Sequence, residues 1–360
     1  MKTSITACCL AALFVTSGCT TSRTATPPIS LPAGAEQATR DHSDCKASIS
    51  SDRLRTSLDE WFSKTEHKLD MIVVTQCGAN LYTRGFNGFE IDTLHEIQSA
   101  TKTFSAMLIG AAMQDGLIKS LDQPLSELLP DYAELMTGSK AKITLRQVLT
   151  MTTGLKWVDF GDGNSFERIG KADDSVAFVL DEPLVSEPGQ EFFYNTGSSH
   201  LLSAIIAEAT GMSAADYADA RLFAALGITE YRWPALSDGR SKGGWDMYMR
   251  PQDMAVFGQM ILDGGRIGEQ QLVPENFIDA ATVKHVETYY GPGYGFQMWI
   301  DNSYGTTDSA AARGYGGQDV FVFDELDAVV VFNGNIGYPG ENNAHIEELL
   351  RETIIPNLAR

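Results

Sequence analysis

The chain has 360 residues, 43% of them hydrophobic, which suits a globular protein with a sizeable core, either one large domain or two interlocked ones. Its formal net charge of −20 excludes a nucleic-acid partner held by phosphate neutralisation, because phosphates would be repelled. The acidic balance says nothing further about the substrate.

The N-terminus reads MKTSITACCLAALFVTSGCTTSR. Lys2 supplies a positive n-region, and Ile5 to Val15 form an apolar run too short to span a bilayer, as in a secretory signal. Small residues before Cys19 resemble a bacterial lipobox, which implies a signal over 1–18, a diacylated Cys19 and a membrane-anchored periplasmic protein. A plain signal peptide cleaved at a small residue is the alternative. Residues 19–44 are rich in Thr, Ser, Pro and Ala without apolar periodicity, the composition of a flexible tether. Cys45 and Cys77 remain after export and are expected to pair, two separate buried thiols being the alternative.

Ser51-Asp52 offers caps for a helix through RLRTSLDEWFSKTEHKL, with Leu54, Leu58, Trp61 and Phe62 on one side. MIVVTQ and ANLYTRGF around Cys77-Gly78 read as a β-hairpin. Thr101 to Gln114 is helical, with Phe104, Leu108, Ala111 and Ala112 recurring at three and four residues before Gly116. From 117 to 289 helical patterns dominate, in ITLRQVLTMT, DSVAFVLD, SHLLSAIIAEAT and RPQDMAVFGQMILDGG. After 290, GYGFQMWID, QDVFVFDE and DAVVVFNGN are β-rich, and NNAHIEELLRETIIPNL closes the chain as a helix. A sheet built from 45–116 and 290–360, with 117–289 as a helical insertion, follows. No metal-type Cys/His cluster or phosphate-cradling loop is present, so neither metal nor organic cofactor is expected, and His200 reads as a structural polar residue.

Chemistry concentrates where Ser99 stands three residues before Lys102. Ser43–Lys46 and Ser139–Lys142 share that spacing, so three copies occur and the pattern alone decides nothing. Only Ser99 opens a strongly apolar helix. Three residues apart on a helix, Lys102 reaches Ser99 Oγ, and an apolar setting lowers a lysine towards a usable base. A capping serine and a snorkelling lysine are an even alternative from this stretch alone. In EPGQEFFYNTGSSHLL a turn delivers Tyr194 before a helix, where it can relay a proton. In AARGYGGQDVFVFDE, Gly316-Gly317 let backbone approach a ligand, or form an ordinary turn.

Ser99-Ala100-Thr101-Lys102, residues 143–155 (ITLRQVLTMTTGL), Tyr194-Asn195-Thr196-Gly197 and Gly314-Tyr315-Gly316-Gly317-Gln318 together resemble the serine β-lactamase-like superfamily. The branch is that of class C β-lactamases, D-alanyl-D-alanine carboxypeptidases, family VIII carboxylesterases and 6-aminohexanoate-dimer hydrolases. The resemblance covers roughly residues 50–355. It implies an α/β plus all-α fold, an antiparallel sheet flanked by helices with the site in the cleft beside the helical region. It also implies Ser99 as nucleophile, Lys102 as its activator, Tyr194 as proton relay, and the backbone N–H groups of Ser99 and Gln318 as oxyanion hole. Thr196, Tyr315, Gly316 and Gly317 would meet substrate, and Trp157 is either a wall of the acyl pocket or ordinary packing. Two positions depart from the family. Thr196 stands where the tyrosine motif often has Asn, and Tyr315 where lactamases and carboxypeptidases carry Lys or His to bind a carboxylate, with Arg313 the nearest cation. A neutral ester or amide is therefore expected in preference to a β-lactam or D-Ala peptide. A carboxypeptidase or weak β-lactamase is the alternative, and a catalytically silent binding lipoprotein the second. An α/β-hydrolase is not indicated, since no G-x-S-x-G elbow occurs.

Overall fold

The computed structural model describes residues 47–358 except 162, 163 and 306. The signal, the tether, Cys19, Ser43 and Cys45 lie outside the described residues.

The first helix, α1 (Ala47–Lys64), is followed by β1 (Leu69–Gln76) and β2 (Ala79–Gly85). Leu54, Leu58 and Phe62 are buried along one stripe of α1. Two sequence expectations need correction. The helix starts before Ser51-Asp52, so Asp52 is no cap; its carbonyl accepts from Thr56 Oγ1 at 2.8 Å within the helix. The helix also stops five residues short of Leu69, because Leu69 is drawn into the sheet opposite Gly334. In the hairpin, Cys77 (φ 54°) and Gly78 (φ 69°) both adopt left-handed backbone, the requirement of a tight two-residue turn. Cys77 is disulfide-bonded.

Next come α2 (Thr101–Gln114), α3 (Leu145–Leu149), α4 (Ser175–Asp181), α5 (Thr196–Thr210) and α6 (Pro251–Leu262). Their boundaries follow capping chemistry. Thr144 and Gln147 form a capping box ahead of α3, Asp174 accepts from Val176 N and Ala177 N, and α5 ends on Gly211 at φ 69°. Short strands were not foreseen in this region: Tyr248–Met249 pairs with His95–Glu96 on one side and Tyr231–Arg232 on the other, and Val286–Glu287 is β3 of the main sheet. Two-residue strands carry too few alternating positions to show a period of two.

The remaining strands are β4 (Gly293–Tyr294), β5 (Trp299–Asp301), β6 (Ser309–Gly314), β7 (Gln318–Phe323) and β8 (Ala328–Gly334), before α7 (Pro339–Glu348). β6 is a further correction, since SAAARG lacks the large residues that mark a strand. The eight strands form one antiparallel sheet in the order β2-β1-β8-β7-β6-β5-β4-β3. Both faces are covered. Ile72, Val74, Phe321, Val330 and Phe332 pack towards α1 and the C-terminal helix, while Met71, Val73, Val320, Val329 and Val331 pack towards α2 and α6. Gly258 permits the close approach of α6, since a methyl there would lie 2.6 Å from Val329 Cγ1. Among the described residues no helix is long and apolar enough to cross a membrane.

Candidate active site

Ser99 does not begin α2. It lies in a single 3₁₀ turn, Gln98–Ala100, that runs directly into α2, and no side-chain cap bond is made at either helix start. The capping alternative is therefore removed. Gln98 is held at φ 51°, a left-handed conformation that costs a non-glycine residue about 1 kcal/mol or more, so surrounding contacts must impose it. Three hydrogen bonds do so: Ile97 N donates to Met247 O at 2.8 Å, Thr101 Oγ1 donates to Gln98 O at 2.7 Å, and Met247 N donates to Thr101 Oγ1 at 3.3 Å.

One turn on, Lys102 is buried, with Nζ 2.9 Å from Ser99 Oγ and 2.7 Å from the carbonyl oxygen of Gly244. Desolvation lowers the Lys102 amine to about 7, partly opposed by the negative charge of Asp159. By contrast, Ser139 and Lys142 both turn to Glu187 on the surface, at 2.8 and 3.6 Å. Spacing alone did not separate these pairs; burial does.

Tyr194 closes the third side. Lys102 Nζ lies 5.0 Å from its ring centroid, and burial raises its hydroxyl well above the ordinary value, opposed by a hydrogen bond with Ser99. The phenol is thus kept protonated. Asn195 caps α5 through Ser198 N and donates to Leu155 O at 2.8 Å, which fixes the turn bearing Tyr194. Behind it, Trp299 of β5 stacks on the Tyr194 ring at 5.8 Å.

The sheet supplies the opposite wall. A methyl on Gly314 would lie 2.3 Å from Ile97 O, so the end of β6 abuts the Ser99 turn. Gly316 (φ 84°) and Gly317 (φ 82°) make the turn into β7. Gln318 is buried, its side chain donating to Gly334 O and accepting from Asn333 Nδ2 at 2.9 Å, which anchors its backbone beside that turn. Tyr315 is exposed at the rim, its ring 5.8 Å from that of Phe160.

Other expected positions behave differently. Thr196 is fully buried with its methyl and carbonyl against Gly244, and its Oγ1 has no hydrogen-bond partner. Trp157 is 3% exposed and edge-on to Phe166 and Phe178; a methyl on Gly197 would lie 2.2 Å from its ring. Packing, the second of its two readings, accounts for it. Arg313 is tied to Asp319 at 3.3 Å and Glu347 at 3.5 Å, and its guanidinium lies over Phe321, whose ring packs on the α1 face of the sheet. His200 is structural: Nε2 meets Ser175 Oγ at 2.7 Å, Nδ1 accepts from Gly243 N at 3.4 Å, and burial lowers it to about 4. No group of metal-ligand type occurs among the described residues.

Sequence reasoning missed Gly243-Gly244, whose carbonyls receive Ser105 Oγ and Lys102 Nζ. Both glycines press on α5, a methyl on either lying within about 3 Å of its atoms. A double glycine in SKGGWDM was the available signal. Gln297 was also missed: buried at φ 56°, its side chain donates to Val148 O and accepts from Ser199 Oγ, and its backbone carbonyl accepts from Thr103 Oγ1, tying α2, α3 and α5 together.

An antiparallel sheet with a helical region beside it, and a serine, a lysine and a tyrosine converging at their junction, define the serine β-lactamase-like class. The chain belongs to the Beta-lactamase family, whose model matches residues 65–354. Among curated relatives, the esterase EstB of Burkholderia gladioli is 32% identical over 151 residues, covering 39% of this chain and 38% of EstB. Monacolin J acid methylbutanoyltransferase of Aspergillus terreus is 27% identical over 197 residues, covering 44% and 46%. The chain thus spans less than half the length of each. A Bacillus anthracis structure named as a candidate 6-aminohexanoate-dimer hydrolase superposes with a TM-score of 0.69 at 22% identity, over 81% of this chain and 80% of that one. That likeness establishes the fold.

Proposed function

We propose that the protein is a serine hydrolase that cleaves a small ester or amide through an acyl-enzyme on Ser99. The observation that carries this reading is the buried Lys102 amine, 2.9 Å from Ser99 Oγ and lowered to about 7. Near neutral pH much of such an amine is unprotonated. It takes the Ser99 proton as Oγ attacks the substrate carbonyl. The backbone N–H groups of Ser99 and Gln318 hold the developing oxyanion. The leaving group departs with a proton from the Tyr194 hydroxyl, which Lys102 replenishes. Water then attacks the acyl-enzyme, giving its proton to the same pair, and Ser99 is released with the acid product.

Relatives named as an esterase and as a methylbutanoyl transferase share acyl transfer as their chemistry, which supports an acyl-enzyme here. The committed ion pairs of Arg313 weigh against recognition of a substrate carboxylate, and hence against a carboxypeptidase or β-lactamase. The test is intact mass after incubation with a fluorophosphonate. One adduct on the native chain and none on Ser99→Ala is expected; no adduct on either refutes the reading and favours a binding role. We also propose a diacylated Cys19 and export to the periplasm, from the resemblance of 16–19 to a lipobox. Mass spectrometry of the membrane fraction checks it, and an unmodified N-terminus downstream of Cys19 would refute it.

A further inference from the structure

Behind Lys102 lies a buried polar chain that the acylation chemistry leaves unused. Ser175 at the start of α4, His200 within α5 and Asp238 in a turn ahead of Gly243 meet from three separate segments. These are the residue types of a Ser-His-Asp triad, but their order is wrong for one. In a triad the imidazole sits between hydroxyl and carboxylate. Here the Ser175 hydroxyl sits between His200 Nε2, at 2.7 Å, and Asp238 Oδ2, to which it donates. Ser175 is also buried, so it presents no nucleophile to a substrate.

The two ends of this chain fix the direction of every proton in it. As a carboxylate, Asp238 can only accept, and it also takes Ser175 N at 2.9 Å and Arg240 N at 3.1 Å. Gly243 N can only donate, and it does so to His200 Nδ1 at 3.4 Å. Burial lowers His200 to about 4, so near pH 7 the ring is neutral. A neutral ring that accepts at Nδ1 carries its proton on Nε2 and gives it to Ser175. The direction matters because Gly243 adjoins the carbonyl that holds Lys102. Gly243 O receives Ser105 Oγ and Gly244 O receives Lys102 Nζ at 2.7 Å, both from α2. His200 holds the same glycine pair from the α5 side. The fit there is tight, since a methyl on Gly243 would lie 2.9 Å from Ser199 O and 3.1 Å from His200 Cα. The pair is thus clamped between two helices, and the imidazole supplies a polar contact on one of them.

We propose that His200 is a positioning residue for acylation: by accepting from Gly243 N it seats the Gly244 carbonyl and so aims the Lys102 amine at Ser99. The inference rests on the serine-hydrolase reading and adds to it a residue that meets no substrate. Two substitutions divide the imidazole. His200→Asn places an acceptor where Nδ1 stands, whereas His200→Gln places polar atoms where Nε2 stands and none at Nδ1. The assay is fluorophosphonate attachment to Ser99, resolved into the rate at saturating reagent, kinact, and the half-saturating concentration, KI. His200→Asn should keep kinact within about threefold of native, and His200→Gln should lower it about tenfold or more, the loss of a buried N–H partner. KI should stay unchanged in both. A packing role alone would make the losses follow thermal stability, so equal kinact in the two variants, or a fall carried by KI, overturns the proposal. Where the His200 variants do not fold, Ser175→Ala takes their place, since it leaves the Nε2 proton without its acceptor and frees the ring to change tautomer. Nitrogen NMR of the native protein should then show the His200 proton on Nε2, and Ser175→Ala should lower kinact with KI kept. A proton on Nδ1 in the native protein, or kinact unchanged by Ser175→Ala, overturns the proposal. If the native protein takes no label, the hydrolase reading has failed, and the Lys102 titration followed by NMR decides the positioning separately. A carbonyl oxygen favours the ammonium form, so His200→Gln should titrate Lys102 at lower pH than native and His200→Asn do. Coincident midpoints overturn the proposal.

Discussion

Lowering Lys102 from 10.5 to about 7 makes the amine available, and the size of that effect can be read as a rate. At one and a third kcal/mol per pH unit, the shift corresponds to about 5 kcal/mol in favour of the neutral amine. At pH 8 about nine-tenths of such lysines are neutral, against roughly 0.3% of ordinary ones, a gain of about 300-fold in usable base. The rate of fluorophosphonate attachment to Ser99, measured from pH 5.5 to 9.5, should therefore rise with an inflection near 7 and level off above it. Lys102→Arg keeps a cation but supplies no neutral base, and should slow attachment by about 10³-fold or more at pH 8. The same burial has a stability signature. The folded amine lies below its unfolded value, so the unfolded chain binds the extra proton between about 7 and 10.5. Stability contributed by this group thus rises with pH across that window, and Lys102→Met should abolish the dependence. An inflection above pH 9, or Lys102→Arg within tenfold of native, would refute the reasoning.

Three further outcomes are expected. Gly244→Ala places a methyl 2.9 Å from Thr196 Cγ2 and 3.0 Å from Thr196 O, displacing the carbonyl that holds Lys102; labelling should slow at least tenfold, and thermal unfolding should register a loss of about 1–3 kcal/mol. Tyr194→Phe keeps the stack on Trp299 but removes the hydroxyl, so turnover should fall about 10²- to 10⁴-fold for alkyl esters and less for nitrophenyl esters, whose leaving group needs no proton. A ratio equal for both ester types would count against proton delivery by Tyr194. Gly314→Ala drives a methyl to 2.3 Å from Ile97 O, a backbone atom with little room to yield; activity should fall while far-UV circular dichroism stays native, and undiminished turnover would mean that β6 does not buttress the Ser99 turn.

Local signals made part of this legible in the sequence. The bounds of α2 were readable because Phe104, Leu108 and Ala111 mark one stripe and Gly116, at φ 73°, stops it. The hairpin around Cys77-Gly78 was readable from the turn residues between two β-rich runs. Short β3 and the small-residue β6 were hidden, because their strand state comes from neighbours in the sheet rather than from their own composition. The site divides the same way. Ser99, Lys102 and Tyr194 sit in motifs, whereas the partner that completes Lys102 is a carbonyl 142 residues away in the chain. A main-chain oxygen has no residue type to betray it. Asp159 and Trp299 were silent for a related reason, since what they face is decided by how distant loops meet.

The sheet order also dictates when such a site can exist during synthesis. β1 lies between β2 and β8, and Thr75 Oγ1 donates to a carbonyl 254 residues further along the chain. Until β8 has left the ribosome, β1 has a bare edge, and neither the Gly314 end of β6 nor Gln318 of β7 stands beside the serine turn. The proposed nucleophile and oxyanion donors are thus brought together only after β7 and β8 have been made. A nascent chain that stops before β7 carries its serine and lysine without the neighbours proposed to put them to use. The slow step of folding is then expected to be this end-to-end pairing, whose loop-closure entropy must be met before its contacts form.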